Sequence, residues 1–362
     1  MKKSIFFALM MLCAMIYQVN AQEIALWDGW AKTAVTFTFD DGGQETQSHQ
    51  WAAEKLDSYD FKATFYMVTG WAVGNTWNTY KSFADNGHEI GSHTSSHSSS
   101  VISELASSKQ IIEQYIGLPC MTIAYPNCQH MGNTVLDYYI AGRLCYGDIN
   151  LASPTDMSKI DAIMCGTQGI NTTYDIVYKC SSSKDKWVVF LIHGVQDKTG
   201  SGSYSPTNQD AFTGTLNWLN QNKKDYWVGT MRDVAMYIQE RDHASFSLKE
   251  QNASAITYSL TAEIESTVCN WDHPLSLRVP APAWTDVAVT QGTQLLESET
   301  KDGFIYFRAV PNKGDIVLQD HFPTALESIQ PSAVRIQKHF RDGQLLIIRD
   351  GKTYTITGAE VR

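Results

Sequence analysis

Short apolar runs rich in β-branched and aromatic residues alternate with amphipathic stretches along the first two thirds of the chain. The runs predict strands over 33–39, 61–68, 88–92, 121–125 and 187–192. Helical spacing predicts helices over 47–56, 80–86, 100–115, 211–220 and 231–238. This alternation implies a mostly parallel sheet with helices outside it, either a barrel or a doubly wound sheet. In both, an active site lies at the carboxyl ends of the strands.

The pattern changes beyond about Asp242. Segments 254–264, 275–279, 285–290 and 303–310 predict short strands between turns, and together a small β-sandwich. Around the Asp350-Gly351 turn, two further β-rich runs are typical of a hairpin. We therefore predict a catalytic domain over 22–242, a β-rich accessory domain over 243–330 and a C-terminal hairpin-like segment over 331–362.

The N-terminus has the pattern of a signal peptide. Lys2 and Lys3 precede an apolar run from 5 to 17, and Val19-Asn20-Ala21 suits a signal peptidase. We expect residues 1–21 to be removed and the protein to be periplasmic, on the cell surface or secreted. The apolar run is short for a bilayer span, so no transmembrane segment is expected.

The net charge restricts the binding partners that the protein could have, and the cysteines bear on its compartment. Lys and Arg total 28 against 38 Asp and Glu, a net charge of -10 that argues against binding nucleic acid. An oxidising compartment would allow the cysteines beyond the signal peptide to pair. Cys120 and Cys128 are close enough to bridge a small loop, but the spacing does not set the pairing. The cysteines in question are Cys120, Cys128, Cys145, Cys165, Cys180 and Cys269.

Candidate metal ligands follow two of the predicted strands. Asp40 and Asp41 end the first, and His93 and His97 follow the third, four residues apart. Neither pair alone indicates a metal site, because Asp-Asp-Gly is a common turn and a histidine pair among serines is often solvated. Two neutral histidines and one carboxylate, however, form a three-ligand face with coordination positions left open. We expect one divalent ion there, with zinc as the default and cobalt, nickel or iron also compatible.

Three motifs now carry a resemblance. Thr38-Phe39-Asp40-Asp41-Gly42, His93-Thr94-x-x-His97 and Leu191-x-His193 resemble the successive motifs of polysaccharide deacetylases of the NodB-homology type, carbohydrate esterase family 4. The resemblance covers roughly 34–239. It implies a distorted (β/α) barrel that removes acetyl groups from N- or O-acetylated poly- or oligosaccharides.

The resemblance also implies roles for single residues. Asp41, His93 and His97 would be the metal ligands, Asp40 the base and His193 the acid, with metal-bound water as the nucleophile. A backbone N–H near Asn127 is expected to stabilise the oxyanion. Residues expected at the substrate or oxyanion positions are Tyr125, Pro126, Asn127 and Leu191, with Trp71 and Trp77 as an aromatic wall for sugar rings.

The chain departs from the family pattern in two places. Ala124 stands where members often carry an arginine that orients the catalytic aspartate, and Asn127 and Cys128 replace the usual Tyr and Gly. Some branches of the family also lack this arginine. No Asp-x-x-Asp-Trp segment supplies an acidic partner for the acid histidine, for which Asp148, Asp156 and Asp161 are the candidates.

Three other readings compete with a deacetylase. The first is a catalytically inactive carbohydrate-binding protein on the same fold, and the second is a protein whose β-rich domain carries the function as a glycan-binding module. The third, an oxygenase with two histidines and one carboxylate, ranks last because such sites usually occur in all-β barrels. The sequence leaves open the acetylated atom, the polymer and the oligomeric state.

Overall fold

The computed structural model describes residues 22–99, 101–196, 203–284 and 286–320, and the backbone of four short strands between 337 and 361. The predicted signal peptide lies outside the described residues. The helices are α1 (Thr46–Asp57), α2 (Thr76–Asp85), α3 (Glu104–Ile116), α4 (Thr173–Ser181), α5 (Gln209–Gln221) and α6 (Met231–Asp242).

The first twelve strands are β1 (Glu23–Ile24), β2 (Thr33–Gly42), β3 (Thr64–Met67), β4 (Glu89–Ser92), β5 (Thr122–Ala124), β6 (Ala141–Arg143), β7 (Asn150–Leu151), β8 (Ile163–Met164), β9 (Lys186–Ile192), β10 (Val195–Gln196), β11 (Thr207–Asn208) and β12 (Tyr226–Val228). The later strands are β13 (Ala244–Gln251), β14 (Ala255–Ala262), β15 (Leu275–Pro280), β16 (Val287–Gln291), β17 (Gln294–Leu295), β18 (Ser298–Lys301), β19 (Phe304–Ala309), β20 (Ile316–Asp320), β21 (Gln337–Arg341), β22 (Gln344–Arg349), β23 (Lys352–Thr355) and β24 (Glu360–Val361).

The central sheet is a distorted barrel. Its main strands follow the order β6-β5-β4-β3-β2-β9 and pair in parallel, while β7 joins the outer edge of β9 antiparallel. The segment 160–164 lies between the two ends of this row. Ile160 pairs with Arg143 of β6, and Ile163 pairs with Phe190 of β9, both in parallel. This segment therefore closes the sheet into a ring.

Alternation along the strands sends one set of side chains outward. Phe37 stacks on Phe190 at 5.4 Å between ring centroids, and Phe39 stacks on Phe65 at 4.8 Å. Phe212 of α5 meets Phe37 edge to face, and all five rings belong to one buried cluster shared with the surrounding helices. Burial of this outer face fixes the register of the parallel strands.

The other set of side chains forms a polar network within the barrel. Glu89 accepts hydrogen bonds from Thr64 at 2.8 Å and from Thr122 at 2.7 Å. Tyr66 shares a hydrogen bond of 3.1 Å with Thr122, and the guanidinium of Arg143 lies 5.5 Å from the centroid of the Tyr66 ring. Because buried polar groups need hydrogen-bond partners, this network favours one relative arrangement of the strands that contribute to it.

Two antiparallel sheets follow the barrel and share one apolar core. The first has the order β1-β15-β19-β18 and the second the order β13-β14-β20-β16-β17. Strand β1 precedes the barrel in sequence yet pairs with β15, Glu23 opposite Arg278. Tyr237 of α6 is buried in the same core and donates a hydrogen bond of 2.8 Å to the carbonyl of Ala25. The sandwich thus packs directly on the barrel.

The predicted fold class, a distorted barrel followed by a sandwich-like β-rich region, is confirmed. The predicted domain limits remain a prediction. Strands β22 and β23 pair antiparallel across the predicted hairpin, Ile348 opposite Thr353. The sequence pattern did not predict β6, the segment 160–164 or α4. In the described part of the chain, no helix combines the length and apolar character needed to cross a bilayer.

Candidate active site and metal centre

Two adjacent carboxylates end β2 at the mouth of the barrel. Asp40 is buried, whereas Asp41 is partly exposed and has a left-handed backbone with φ 62°. The Oδ1 atom of Asp41 is buried and has no hydrogen-bond partner among the described residues. An unsatisfied buried carboxylate oxygen fits a cation ligand, because leaving it unpaired in the folded protein would otherwise be costly.

Two histidines converge on that same oxygen. His93 follows β4, and its Nε2 lies 3.7 Å from Asp41 Oδ1; His97 Nε2 lies 3.4 Å from it. One ligand atom from each of these three residues falls within 4.8 Å of the other two. They are thus close enough to share one divalent ion, and the chemistry of the donors fits one.

The surrounding groups set the orientation of both imidazoles. His93 Nδ1 donates to the carbonyl of Ala124 at 2.8 Å, which leaves the lone pair of Nε2 facing Asp41. Burial lowers the pKa of His93 to about 4, so the ring is neutral at pH 7. The ring of Trp71 stacks on His97 at 5.1 Å. Both histidines are therefore held ready to bind a metal.

A glutamate shapes the loop between the two histidines. The Oε2 atom of Glu104, in the first turn of α3, accepts hydrogen bonds of 2.9 Å from the N–H groups of both Ser95 and Ser96. Thr94 and His97 adopt left-handed backbones with φ of 63° and 59°. Such conformations are costly for residues other than glycine and persist where surrounding contacts enforce them. The loop, rather than a helical turn, brings the histidines together.

An arginine that the sequence analysis missed holds Asp40. Arg143, the last residue of β6, is fully buried, and its Nη2 donates to both carboxylate oxygens of Asp40. Ala124 does leave the expected arginine position empty, but the guanidinium arrives from the neighbouring strand. The signal that could have found it is a lone arginine within a short, otherwise small and apolar stretch, Ala141-Gly142-Arg143-Leu144.

The two aspartates titrate in opposite directions. Burial alone would raise the pKa of Asp40, but nearby positive charge, above all that of Arg143, and the hydrogen bond from this arginine lower it to about 2. Burial and then the charges of Asp40 and Glu45 raise the pKa of Asp41 to about 7 in the metal-free protein. Asp40 is therefore ionised at neutral pH, whereas about half of Asp41 is protonated there in the metal-free protein.

His193 follows β9 and lies at the same mouth. Its carbonyl oxygen accepts a hydrogen bond of 2.7 Å from Nε2 of the fully buried His49, whose Nδ1 lies 2.7 Å from the hydroxyl of Tyr80. Burial lowers the pKa of His193. Its Nδ1 has no hydrogen-bond partner within the described residues. The exposed ring of Tyr204 meets the His193 ring edge to face at 5.0 Å.

The three acidic residues considered as partners of His193 have other contacts. Asp156 caps a short turn through the N–H of Ser158 at 3.0 Å. Asp161 accepts hydrogen bonds from the N–H groups of Tyr146 and Asp148 at 2.6 and 2.8 Å. These bonds hold the chain around β7 and β8. None of the three is a recorded partner of His193.

A cavity of about 540 Å³ unites the site. Its lining includes Asp40, Asp41, His93, His97, Tyr125, Asn127, Leu191 and His193, all expected from the sequence, and also Cys128, Cys145, Met164 and Tyr204. Trp71, Trp77 and Pro126 are not among the lining residues. Trp71 packs on His97 instead, and Trp77 stacks on Tyr115 at 4.6 Å. The lining does include two tyrosines, Tyr125 and Tyr204.

The disulfide differs from the pairing considered above. Cys128 is bonded to Cys145, whereas Cys120 is a buried free thiol. Tyr125 precedes the turn that contains Cys128, and its buried hydroxyl donates to the carbonyl of Ser158 at 2.8 Å. The proton of this hydroxyl is therefore committed to a protein acceptor.

Comparison with known families agrees with the motifs. Residues 30–141 match the sequence model of a family described as polysaccharide deacetylase. This stretch contains Asp40, Asp41, His93 and His97, so the predicted resemblance is confirmed. This part of the chain is therefore similar in sequence to the polysaccharide deacetylase family.

Three individual relatives share at most 28% sequence identity with this chain. The chain is 28% identical over 330 residues to a gellan lyase of Bacillus sp, an alignment that covers 81% of this chain but 13% of the lyase. A family 4 acetyl xylan esterase from Clostridium thermocellum, solved with a cobalt ion, shares 21% identity at a TM-score of 0.40, covering 56% of this chain and 89% of the esterase. The Xyl-CE4 domain of a multidomain xylanase from the hindgut metagenome of Trinervitermes trinervoides shares 17% identity at a TM-score of 0.39, covering 56% and 88%.

Proposed function

We propose that this protein is a metal-dependent hydrolase that removes acetyl groups from a carbohydrate, an N- or O-acetylated poly- or oligosaccharide. The observation that carries the proposal is the convergence of Asp41, His93 and His97 on one point beside the buried, ionised carboxylate of Asp40. The family match over 30–141 and the similarity to a gellan lyase support a polysaccharide as the ligand.

One divalent ion would be held by the Asp41 carboxylate and the Nε2 atoms of His93 and His97. This donor set suits zinc, and it also suits cobalt, nickel and iron. When bound, such an ion lowers the pKa of a water molecule and polarises a carbonyl oxygen.

The side chains around the ion have different roles in the reaction. Asp40, fixed by Arg143, accepts a proton from the attacking water. The N–H of Asn127 donates to the acetyl oxygen as negative charge develops on it. His193 delivers a proton to the leaving nitrogen or oxygen of the sugar. The products are acetate and the free amine or hydroxyl.

The uncommitted N–H of Asn127 supports its place in this scheme. Within the turn from Tyr125 to Cys128, Tyr125 N–H donates to Arg143 at 3.1 Å and Cys128 N–H donates to Tyr125 at 3.0 Å. Pro126 has no N–H. Among the described hydrogen bonds, none involves the N–H of Asn127, an exposed residue on the cavity wall. This donor is therefore available to a substrate.

The second candidate is a catalytically inactive carbohydrate-binding protein on the same fold. The observation that favours it is His193, whose Nδ1 has no hydrogen-bond partner among the described residues and whose pKa is lowered by burial against the opposing charge of Asp40, so its protonated form is weakly supported. Binding of an acetylated glycan without any release of acetate would distinguish this candidate from the deacetylase.

Acetate release tests the proposal. Metal-loaded and chelator-treated protein should be compared on acetylated xylan, chitin oligosaccharides, peptidoglycan and gellan. We expect release from at least one of these polymers by the loaded protein, and loss of release after chelation that added metal reverses. Export is proposed separately, and N-terminal sequencing of protein collected outside the cytoplasm should begin at Gln22.

A further inference from the structure

The turn that presents Asn127 has an unusual backbone. Asn127 and Cys128 adopt left-handed conformations in succession, with φ of 55° and 60°. Asparagine tolerates this region, but cysteine does so only at a cost, and glycine is the residue that adopts it freely. Two successive strained residues at the wall of an active site need something that holds them there.

The disulfide between Cys128 and Cys145 supplies that restraint. It joins the second strained residue to a position 17 residues later in the chain, and both cysteines line the same cavity as Asn127. The hydroxyl of Tyr146 adds a hydrogen bond of 3.0 Å to the carbonyl of Cys128. The turn is thus fixed from the side of β6.

The position of Cys145 connects this turn to the proposed base, Asp40. Cys145 lies two residues after Arg143, the residue that holds Asp40. One short stretch, 143–145, therefore both orients the base and restrains the turn with the free N–H.

We propose that the Cys128–Cys145 disulfide is a positioning element of the active site, which holds the N–H of Asn127 toward the acetyl oxygen of the substrate. The inference rests on the proposed deacetylase function. Breaking the bond would lower kcat, because the donor would no longer be held where charge develops in the transition state. It would leave the metal ligands in place, since Asp41 lies in β2 and both histidines lie in the loop after β4. The Ala124 carbonyl that orients His93 belongs to β5, outside the turn.

The expected effect follows from known oxyanion donors. Complete loss of one such donor lowers kcat about 10²- to 10³-fold. A turn that is merely freed still samples the productive position, so we expect a loss of roughly 10- to 100-fold in kcat. Ground-state binding uses other surfaces of the cavity, so KM should change little.

Chemical reduction is the first arm of the test. A water-soluble phosphine cleaves the S–S bond to two thiols, taking oxygen from water to become its phosphine oxide, so that two electrons and two protons reach the sulfurs. A phosphine is preferred to a dithiol, which would also bind the metal. The other thiols will not confuse the readout, because Cys120, Cys165 and Cys180 are buried and the Cys269→Ala variant removes the half-buried one.

Two double variants form the second arm. Cys128→Ala/Cys145→Ala removes the bond and keeps a residue that resists the left-handed conformation, so kcat should fall as in the reduced protein. Cys128→Gly/Cys145→Ala also lacks the bond, but glycine adopts φ near 60° without strain, so most of the rate should return. Metal content and the thermal midpoint are measured for every sample.

The outcomes are separable. The positioning role is supported if, at constant metal content, acetate release falls on reduction and in the alanine pair and recovers in the glycine pair. Full activity after verified reduction, or equal loss in the alanine and glycine pairs, overturns it. If the oxidised wild-type protein releases no acetate at all, the proposed function fails instead. Should the alanine pair not fold, the reduced protein and the glycine pair still decide.

Discussion

Replacing Arg143 by methionine removes the only side-chain hydrogen bonds recorded for Asp40 in the described residues. The pKa of Asp40 stands at about 2 instead of 3.8, and this lowered value is worth about 2 kcal/mol of folding stability at neutral pH. Because the pKa is lowered in the folded state, that stability is present above about pH 4 and is lost as the pH falls toward 2. Removing one partner of a buried ion pair costs about 3–5 kcal/mol in all.

The effect on catalysis should be larger than the effect on folding. Without the guanidinium, burial would raise the pKa of Asp40, so the acid limb of the kcat/KM profile should move to higher pH. A misplaced base should lower kcat/KM about 10²- to 10³-fold. Arg143→Lys, which keeps the charge, should lose less. A role for Arg143 in holding the base is contradicted if Arg143→Met keeps the wild-type acid limb and stays within about threefold of the wild-type kcat/KM.

A matched variant controls for general destabilisation. Arg241→Met also removes a guanidinium with an aspartate partner and two carbonyl acceptors, on α6 and away from the cavity. It should lower the thermal midpoint without moving the acid limb. Steady-state rates across pH, with metal content checked for each protein, separate the two effects.

Three other predictions concern the residues around the metal ligands. Because the pKa of Asp41 is about 7 without metal, titration of metal at pH 6 should release about one proton from this carboxyl, measured by calorimetry in buffers of different ionisation enthalpy; release of almost no proton at pH 6 would contradict the assignment. Tyr80→Phe leaves Nδ1 of His49 buried without a hydrogen-bond donor and should lower the free energy of unfolding in urea by about 1–2 kcal/mol. An unchanged urea midpoint would mean that this hydrogen bond does not contribute to stability. Glu104→Ala frees the loop between the histidine ligands and should weaken metal binding about 10- to 100-fold, and an unaltered dissociation constant would show that the loop holds its own shape.

The parts of the fold that the sequence predicted are those with long periodic signals. Strand β2 runs for ten residues, from Thr33 to Gly42, and β9 is almost continuously apolar, so their ends marked the mouth of the barrel. The motif residues Asp40, Asp41, His93, His97 and His193 were found because each lies at, or shortly after, the end of a predicted strand. Parallel strands bring their carboxyl ends together whatever the details of packing.

The parts that escaped prediction depend on contacts distant in sequence. Strand β6 has three residues, too few for any periodicity, so the role of Arg143 could not be read from its neighbours. The pairing of Cys128 with Cys145 depends on how the turn after β5 meets the end of β6. Trp77 illustrates the converse, because its ring is aromatic and close to the motifs in sequence yet faces Tyr115 rather than the cavity.

In the proposed mechanism, Asp40 acts as the base beside a metal held by three other groups. The most direct measurement is acetate release by metal-loaded Asp40→Asn, on the substrate that the wild-type protein turns over, with metal content determined on the same sample. We predict an unchanged metal content and a rate about 10²- to 10⁴-fold lower. Near wild-type release by a fully loaded Asp40→Asn protein would contradict it.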